Sequence, residues 1–371
     1  MRIRVTQTDL SKTLALVTSV VPTTSSIPVL SNLLLEVEGD RITISATDLD
    51  ISIISKLGGE ISEPGSITVA ARRLYEIVRE LPGEEVDISA DGNQITVTCS
   101  RATFKMMGME KEQFPKIANL EDEERISIGA EILERMIRRT VYAVAKDETR
   151  PVLSGILWEL GTDEMSMVGT DGHRLARMAV KGNFGIKEPM GVIIPPKALN
   201  QVLKLLDGVD EISIAVDKAF VGFFVGDTVI YSRRIEGTFP NYQKVIPENN
   251  QNILVADRLE LMSATKRVSL LADSKTHKIK MYLGKEGLKL TASTPELGEA
   301  EEEVPATYSG DEMVVGYNAS YILDVLKTTD ADEIRFELGK PVEASVIKPA
   351  SEPDGESYIC LVMPLRLAEH G

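Results

Sequence analysis

Apolar residues recur at helical spacings of three and four in three segments of the chain. In TDLSKTLALVTSVV these residues are Leu10, Leu14, Val17 and Val21, which would lie on one face of a helix. Two later segments repeat the pattern, with Ile132, Met136, Ile137, Val141 and Val144, and with Leu259, Met262, Val268 and Leu271. Asp9 and Asp257 stand where N-caps would. The pattern predicts three amphipathic helices.

Alternating apolar and polar residues, typical of strands, follow each predicted helix. Residues 27–53 read IPVLSNLLLEVEGDRITISATDLDISI, and residues 150–178 read RPVLSGILWELGTDEMSMVGTDGHRLARM. Both contain Pro-Val-Leu-Ser, a strand, a polar turn, a second strand and Thr-Asp. Residues 277–303 form a weaker third copy. Because a strand, a second helix and further strands follow each copy, we expect a threefold repeat.

Two polar junctions divide the chain at the spacing of this repeat. Residues 112–125 and 237–252 each carry Phe-Pro followed by turn-forming residues, as linkers between domains do. We therefore expect an α+β fold of three similar domains, each with two helices and antiparallel sheets. The predicted domain boundaries are 1–120, 126–249 and 250–371.

The composition is that of a soluble globular protein, with 43% hydrophobic and 26% charged residues. A net charge of −16 means that the chain as a whole repels nucleic acid and acidic membranes. The N-terminus lacks an apolar signal segment, and no run reaches membrane-spanning length. These features predict a cytoplasmic protein that makes no contact with a membrane.

The cysteines and histidines do not suggest a metal centre. Cys99 and Cys360 lie far apart and form no CxxC pair, so neither a disulfide framework nor a zinc cluster is expected. His173, His277 and His370 have no ligand spacing, and the sequence predicts no metal site and no cofactor.

Asp171 and His173, in the segment TDGHRLARM (170–178), are the strongest candidates for catalysis. On a strand their side chains would share a face, and Ser154 could be a nucleophile. However, Ser154 lies in PVLSG rather than in a Gly-x-Ser-x-Gly elbow. The other copy of the repeat has Asp48 and Asp50 without a histidine. The sequence therefore predicts no catalytic residue.

Six segments, in this order and spacing, resemble the beta sliding clamps of bacterial replicative DNA polymerase: PVLSNLLLE, ATDLDI, GTDGHRLA, FPNY, NASYILDVL and YICLVMPLRL. The resemblance covers essentially the whole chain. It implies a head-to-tail homodimer that forms a six-domain ring around duplex DNA, a non-catalytic processivity factor at replication forks. The implied partners are the replicative polymerase, the clamp loader, and other polymerases and repair proteins that bind through short peptides.

The resemblance places helices around the DNA channel, where a mildly positive wall inside an acidic body would permit sliding. The cations of the predicted helices are Lys12, Arg72, Arg73, Arg79, Arg135, Arg138, Arg139, Lys197, Lys204, Lys266, Arg267 and Lys327. The alternative is that these side chains are simply the solvated faces of the helices. Where many relatives have a basic residue in the first loop, this chain has Thr24, and Lys146 beside Arg150 offers a nearby charge.

The resemblance also implies a peptide-binding groove between the second and third domains. Its residues would be Leu153, Thr170, Gly172, His173, Arg174, Leu175, Pro240, Lys244, Val245, Val342, Ala344, Leu361, Met363, Pro364, Leu365 and Arg366. Aliphatic and methionine side chains suit an adaptable apolar pocket, and Arg174 and Arg366 would hold an acidic or carbonyl group at the rim. Alternation predicts that Leu361, Met363 and Leu365 share one side of a strand, with Val362 on the other.

The implied ring closes through residues of the first and third domains. Leu270 and Leu271 would pack on Phe104 and Met106 of the other chain, and the acidic run GEAEEE would pair with basic residues. The charged members are Glu299, Glu301, Glu303, Arg73 and Lys105. A core role for the two leucines is the alternative.

Two rival hypotheses remain open at this point. A threefold-repeat binding protein with a groove but no ring would be a monomer at micromolar concentration. An enzyme that uses His173 would lose a reaction, but not partner binding, on substitution of that histidine.

Overall fold

The computed structural model describes residues 1–147 and 149–367, which form two compact units. The first unit comprises residues 1–130 and 197–234, and the second comprises residues 131–196 and the chain from Ile235 onward. The helices of the described residues are α1 (Gln7–Thr18), α2 (Ala71–Arg79), α3 (Ala130–Arg138), α4 (Pro196–Leu203), α5 (Arg258–Ser269) and α6 (Ala319–Thr328).

The strands follow in chain order. They are β1 (Arg2–Thr6), β2 (Asn32–Glu38), β3 (Arg41–Thr47), β4 (Ile51–Leu57), β5 (Glu60–Glu63), β6 (Gly65–Ala70), β7 (Glu85–Asp91), β8 (Gln94–Cys99), β9 (Ala102–Met107), β10 (Ile126–Gly129), β11 (Ile156–Leu160), β12 (Glu164–Thr170), β13 (Arg174–Lys181), β14 (Met190–Ile194), β15 (Glu211–Val216), β16 (Phe220–Val225), β17 (Thr228–Arg233), β18 (Asn252–Asp257), β19 (Lys278–Gly284), β20 (Gly287–Thr294), β21 (Gly298–Val304), β22 (Ala306–Ser309), β23 (Met313–Asn318), β24 (Glu333–Leu338), β25 (Ser345–Pro349) and β26 (Glu356–Val362).

The first unit contains two antiparallel sheets. One has five strands in the order β5-β1-β7-β8-β9, and the other has eight in the order β10-β15-β16-β17-β4-β3-β2-β6. Helix α1 packs against α2 and against β3 and β4. The predicted face of α1 is confirmed, because Leu10, Leu14 and Val17 are fully buried.

The second unit also contains two antiparallel sheets. One has nine strands in the order β14-β11-β12-β13-β26-β25-β24-β18-β22, and the other has four in the order β21-β20-β19-β23. Helix α5 packs against α6 and against β20 and β21. The predicted α+β class is confirmed, with antiparallel sheets in both units. No helix among the described residues is long and apolar enough to span a bilayer.

The helix caps agree with the sequence in part. The carboxylate of Asp257 accepts a hydrogen bond from the Glu260 amide at 2.8 Å, as an N-cap does. The predicted cap at Asp9 is wrong, because α1 begins one turn earlier and the Thr6 hydroxyl accepts from the Asp9 amide at 3.1 Å. Asp9 lies in the first turn, where its negative charge interacts favourably with the positive end of the helix dipole.

The predicted buried face of α5 is right at Val268 and wrong at Leu259. Leu259 is 54% exposed, whereas Leu261, Ala264 and Val268 are buried together with Thr265. Both sets have helical spacing, and a stripe that contains alanine and threonine is harder to recognise than one of large apolar residues. In the second predicted helix, α3 ends at Arg138, and a 3-10 turn over Val141–Ala143 follows.

Candidate functional site

The segment around Asp171 forms a tight turn between β12 and β13. The Thr170 hydroxyl donates to the Arg174 carbonyl at 2.6 Å and accepts from the Gly172 amide at 3.1 Å. The Asp171 carboxylate accepts from the amides of His173 and Arg174, both at 2.9 Å. Gly172 has a φ of +88°, which glycine adopts without a steric penalty. Asp171 therefore builds the turn, and the side chain of His173 is exposed.

The first unit repeats this turn between β3 and β4. The Thr47 hydroxyl donates to the Ile51 carbonyl at 3.1 Å, and the Asp48 carboxylate accepts from the Ile51 amide at 2.7 Å. Leu49 takes the place of Gly172, with a φ of +81°. The repeat read from the sequence is therefore present down to individual hydrogen bonds.

A buried apolar cluster lies beside the Asp171 turn, in the nine-stranded sheet. Its members are Val168, Leu175, Tyr242, Val346 and Leu361. Leu175 pairs with Leu361 across β13 and β26, and Leu361 pairs with Val346 across β26 and β25. With Val168 on β12, four adjacent strands thus contribute to one face. We call these five residues the apolar floor.

The apolar floor brings together two predicted groove residues and three that were missed. Leu175 and Leu361 were predicted, whereas Val168, Tyr242 and Val346 were not. Tyr242 lies within the quoted FPNY motif, so its aromatic ring was a usable signal. Val168 and Val346 can be assigned to the cluster only when one knows which face of their strands points toward Leu361. That in turn requires the order of the strands in the sheet.

Tyr242 is held in place at its hydroxyl. It donates to the Glu159 carboxylate at 2.6 Å and accepts from Arg177 at 3.4 Å. Burial, followed by the hydrogen bond to Glu159, raises the pKa of Tyr242. The ring therefore has a fixed position in the floor, at the start of the 3-10 turn Tyr242–Val245. Val245, Lys244 and Pro240 around it are exposed.

The C-terminal segment departs from the predicted alternation. Strand β26 ends at Val362, which is fully buried, and Met363 is 42% exposed. The Met363 amide donates to the His173 carbonyl at 2.8 Å, which ties this segment to the Asp171 turn. Leu365 instead donates to the Gly316 carbonyl of β23 at 2.8 Å. Because Pro364 has no amide hydrogen to continue the ladder, Met363 and Leu365 do not extend the strand face of Leu361.

The remaining predicted groove residues differ in exposure. Leu153 is buried in the 3-10 turn Pro151–Ser154, where the Ser154 hydroxyl donates to the Pro151 carbonyl at 2.7 Å. Val342 and Ala344 precede β25 instead of lying on it, and Val342 is 68% exposed. Arg366 is exposed, and residues 368–371, with His370, lie outside the described residues.

Arg174 does not lie at the rim, contrary to expectation. Its side chain is 7% exposed and donates to Asp171 at 3.1 Å, to Asp324 at 2.7 Å and to the Tyr142 carbonyl at 2.6 Å. The guanidinium also lies over the Tyr321 ring, 4.4 Å from its centroid. Burial alone would lower the pKa of Arg174, but Asp324 and Asp171 outweigh it and raise that pKa.

Arg150 lies where Arg174 was expected. A Cβ atom added to Gly172 would lie 3.3 Å from the Arg150 guanidinium, so this exposed cation borders the Asp171 turn. The sequence assigned Arg150 to the DNA channel.

Two other predicted channel residues are not free surface cations. Arg139 has 7% of its side chain exposed and lies over the Tyr358 ring at 5.2 Å, and Arg135 donates to Glu356 at 2.5 Å. Both are held inside the second unit. Residues 135 and 139 are four positions apart, so their side chains point to the same side of the helix, toward Glu356. The exposed predicted cations are Lys12, Arg72, Arg73, Arg79, Arg138, Lys146, Arg150, Lys197, Lys204, Lys266, Arg267 and Lys327.

Several of these exposed cations have acidic neighbours on the same unit. Arg138 lies 2.7 Å from Glu134, and Arg73 lies 3.2 Å from Glu76. Lys197 pairs with Asp48, and Arg267 pairs with Glu302. Exposed pairs of this kind contribute little to stability, but they reduce the positive field that each cation presents.

Two strands at sheet edges carry the residues predicted for the dimer interface. Strand β9 ends the five-stranded sheet, and Phe104, Lys105 and Met107 on it are exposed. Strand β21 ends the four-stranded sheet, and its exposed residues include Glu299, Glu301 and Glu303.

The two leucines predicted for this interface differ in exposure. Leu270, at the end of α5, is 76% exposed, which excludes a core role for it within one chain. Leu271 is partly buried, and its carbonyl accepts from the Thr294 hydroxyl at 2.9 Å.

Comparisons with known proteins match this architecture along the chain. Models of the DNA polymerase III beta subunit match residues 1–118 (N-terminal domain), 127–241 (central domain) and 243–366 (C-terminal domain). Beta sliding clamps of Pseudomonas aeruginosa and Caulobacter vibrioides are each 34% identical to this chain. These alignments cover 96% and 99% of this chain and 98% and 100% of the relatives.

Solved structures agree with the sequence relatives. A P. aeruginosa sliding clamp bound to griselimycin matches with a TM-score of 0.93 and 32% identity, over 99% of this chain and 100% of that one. A Bacillus subtilis sliding clamp matches with a TM-score of 0.94 and 27% identity, over 99% of each chain. The three matching domain models and the full-length relatives show that this chain belongs to the beta sliding clamp family, the non-catalytic beta subunits of DNA polymerase III.

Proposed function

We propose that this chain is a sliding clamp that closes head to tail with a second copy around duplex DNA and tethers the replicative polymerase. The observation that carries the proposal is the pair of edge strands: β9 exposes Phe104, Met107 and the cation Lys105, and β21 exposes a row of glutamates. Exposed edge strands normally have a partner or are protected. Antiparallel pairing of β9 with β21 of a second chain would extend one sheet across the subunit boundary.

The charges of these edges support that pairing. Strand β21 presents Glu299, Glu301 and Glu303 on one exposed face, and β9 presents Lys105. Leu270 would cover Phe104 and remove two apolar side chains from water. Because the contact joins two different surfaces, it is heterologous, and a two-chain ring contains it twice.

A topological hold on DNA fits the charge distribution. The net charge of −16 opposes general affinity for DNA, and each phosphate contact that a protein makes adds salt-dependent affinity. Cations paired with carboxylates, such as Lys197 with Asp48, make weak contacts that permit sliding. We infer that Arg72, Arg79, Lys204, Lys266 and the other exposed cations line the channel without binding any one sequence, except for Arg150, which borders the Asp171 turn.

The groove beside the Asp171 turn would receive short peptides from partners. The apolar floor would lie beneath aliphatic or aromatic anchors, Met363 can adapt its shape to them, and Gly172 permits close approach of a backbone. His173, Lys244, Val245 and Arg366, which are exposed, would border it. The partners would be the replicative polymerase, the clamp loader, and other polymerases and repair proteins.

The internal repeat explains why only one such groove is proposed in each chain. In the first unit, the positions that correspond to Val168 and Leu175 are Ser45 and Ser52, both buried. The Ser52 hydroxyl donates to Thr47 at 2.7 Å. The equivalent turn there lacks two of the five apolar side chains that form the floor.

The domain limits 1–120, 126–249 and 250–371 remain part of the proposal, supported by the spacing of the matching family models. The proposed site of action is the replication fork, in the cytoplasm. No group of three or more potential metal ligands occurs in residues 1–147 and 149–367.

The deciding experiment loads the protein onto nicked circular DNA with a clamp loader and ATP, and then cuts the circle with a restriction enzyme. Release of the protein on cutting is expected, because a ring held by topology slides off a free end. Retention of the protein on the linear DNA would mean that direct contacts hold it, and would refute the ring.

The groove is tested separately by truncation. A chain that ends at Val362 should lose binding of an acetylated hexapeptide with leucine and phenylalanine anchors, yet remain a dimer by sedimentation. A chain that ends at Leu367 is the matched control and should bind the peptide like the full chain. Unchanged peptide binding after truncation at Val362 would contradict the assignment of the groove.

A further inference from the structure

Arg174 connects three separate elements of the second unit. Its Nε group donates to Asp171 in the turn, one terminal nitrogen donates to Asp324 of α6, and the other donates to the carbonyl of Tyr142 in the 3-10 turn Val141–Ala143. The rings of Tyr321 and Tyr142 lie 4.4 and 5.3 Å from the guanidinium carbon. Each nitrogen therefore has a partner, and two rings contact the guanidinium.

This environment leaves Arg174 little freedom to contact a ligand. The side chain is 7% exposed, and a ligand that bound it would have to displace charge-assisted hydrogen bonds. Such bonds to a buried charge are costly to break, because the charge is left without compensation. The planar fork of arginine fits several fixed acceptors at once, and lysine cannot reproduce it.

The hydrogen bonds continue from Arg174 to the groove surface. Asp171, held by the guanidinium, fixes the amides of His173 and Arg174. The His173 carbonyl in turn accepts from the Met363 amide at 2.8 Å. A short chain of bonds therefore connects the buried guanidinium to Met363, which is partly exposed beside the apolar floor.

A second connection runs through Tyr142. Its carbonyl is fixed by Arg174, and its hydroxyl lies 2.9 Å from the Tyr358 hydroxyl, which is 3.0 Å from the Thr328 hydroxyl of α6. Arg174 is therefore linked to α6 both directly, through Asp324, and through Tyr142 and Tyr358.

We propose that Arg174 is a positioning residue of the peptide groove, which holds the Asp171 turn and Met363 in the binding conformation without touching the bound peptide. This role rests on the proposed function of the groove. Asp324 shares this role, because it accepts a hydrogen bond from Arg174, although it lies on α6 and is not among the groove residues.

The test compares Arg174→Lys, Asp324→Asn, the double variant and Arg139→Lys by isothermal titration calorimetry with two acetylated hexapeptides. Both peptides carry the same leucine and phenylalanine anchors; one has glutamate and glutamine between them, and the other has alanine at both positions. Arg139→Lys is the matched control, since Arg139 is equally buried and also lies over a tyrosine ring, but has no bond to the Asp171 turn.

Arg174→Lys and Asp324→Asn should each weaken both peptides by about tenfold or more, the effect of losing a charged hydrogen bond. The loss should be the same for both peptides, and the double variant should lose little more than Arg174→Lys alone. Arg139→Lys should stay within about twofold of the unsubstituted protein, although its melting temperature falls.

Three outcomes would overturn the role. A loss confined to the peptide with glutamate and glutamine would make Arg174 a direct contact. Unchanged peptide affinity in Asp324→Asn would show that the bond to α6 has no part in positioning the groove. An equal loss of affinity in Arg139→Lys would show that the effect is a general destabilisation of the unit. If the unsubstituted protein bound neither peptide, the proposed groove would fail first, and the role of Arg174 with it.

Discussion

Substitution of Leu270 by aspartate should open the proposed ring. Leu270 ends α5 with 76% of its surface exposed, so it contributes little to the folding of a single chain. In the proposed dimer it is covered by Phe104 of the partner chain. Leu271 is a poorer choice, because it is partly buried and its substitution would also disturb the fold.

The exposed surface of Leu270 sets the size of the effect. Complete burial of a leucine side chain is worth about 1.5–3 kcal/mol, and the 76% that is available here corresponds to about 1–2 kcal/mol per contact. The ring contains the contact twice, so the loss is about 2–4 kcal/mol per dimer. This corresponds to a rise of roughly 30-fold to 700-fold in the dissociation constant.

Sedimentation velocity over a range of concentrations measures this shift. Leu259→Asp is the matched control, because it makes the same change at an exposed leucine on the same helix, about 16 Å away along the axis. Leu270→Asp should sediment as a monomer at concentrations where Leu259→Asp and the unsubstituted protein are dimers. A Leu270→Asp dimer of undiminished affinity would refute the placement of this interface, and so would an equal loss in both variants.

Three further predictions follow from buried groups and from the turn. Glu352 is partly buried, and burial raises its pKa despite the hydrogen bond from the Tyr358 amide; the stability it contributes is present below its unfolded pKa and is lost as pH rises through the folded value. Glu352→Gln should therefore raise the melting temperature at pH 7, with a difference that disappears at about pH 4; a variant that melts lower at pH 7 would contradict this. Burial raises the pKa of Cys360 to about 11, so a thiol reagent at pH 8 should label it only in denaturant, and rapid labelling of the native protein would show that the site opens. Gly172→Ala should lower the free energy of unfolding by about 1–2 kcal/mol, because alanine is strained at positive φ, and an unchanged urea midpoint would refute the strain.

Much of the fold could be predicted because the same pattern of helix and strands occurs two or three times along the sequence. The turns at 47–51 and 170–174 share only Thr-Asp in sequence, with TDLDI in one and TDGHR in the other, yet they share their hydrogen bonds. Two copies of one pattern are stronger evidence than one, and the division into strands and helices follows from them.

The parts that failed depend on contacts that a single segment does not contain. As a charged residue, Arg174 is expected at the rim of a groove. Its burial becomes visible only from its hydrogen bond to Asp324 of α6, 150 positions along the chain. Arg139 was misplaced for the same reason, since its neighbours Asp330 and Glu356 come from distant segments. Local pattern gave the buried face of α1, but it does not say which cations of a helix meet a carboxylate from elsewhere.

The serines at positions 45 and 52 have a consequence for how many partners can bind at once. A duplicated fold could have provided a binding site at every repeat of the turn, and several enzymes could then have bound one ring together. With serine in place of valine and leucine, the turn of the first unit would offer no such site, and the proposed ring would carry one groove beside the Asp171 turn of each chain. Partners that bind this groove would then compete for it, and that competition would decide the order in which they reach the DNA.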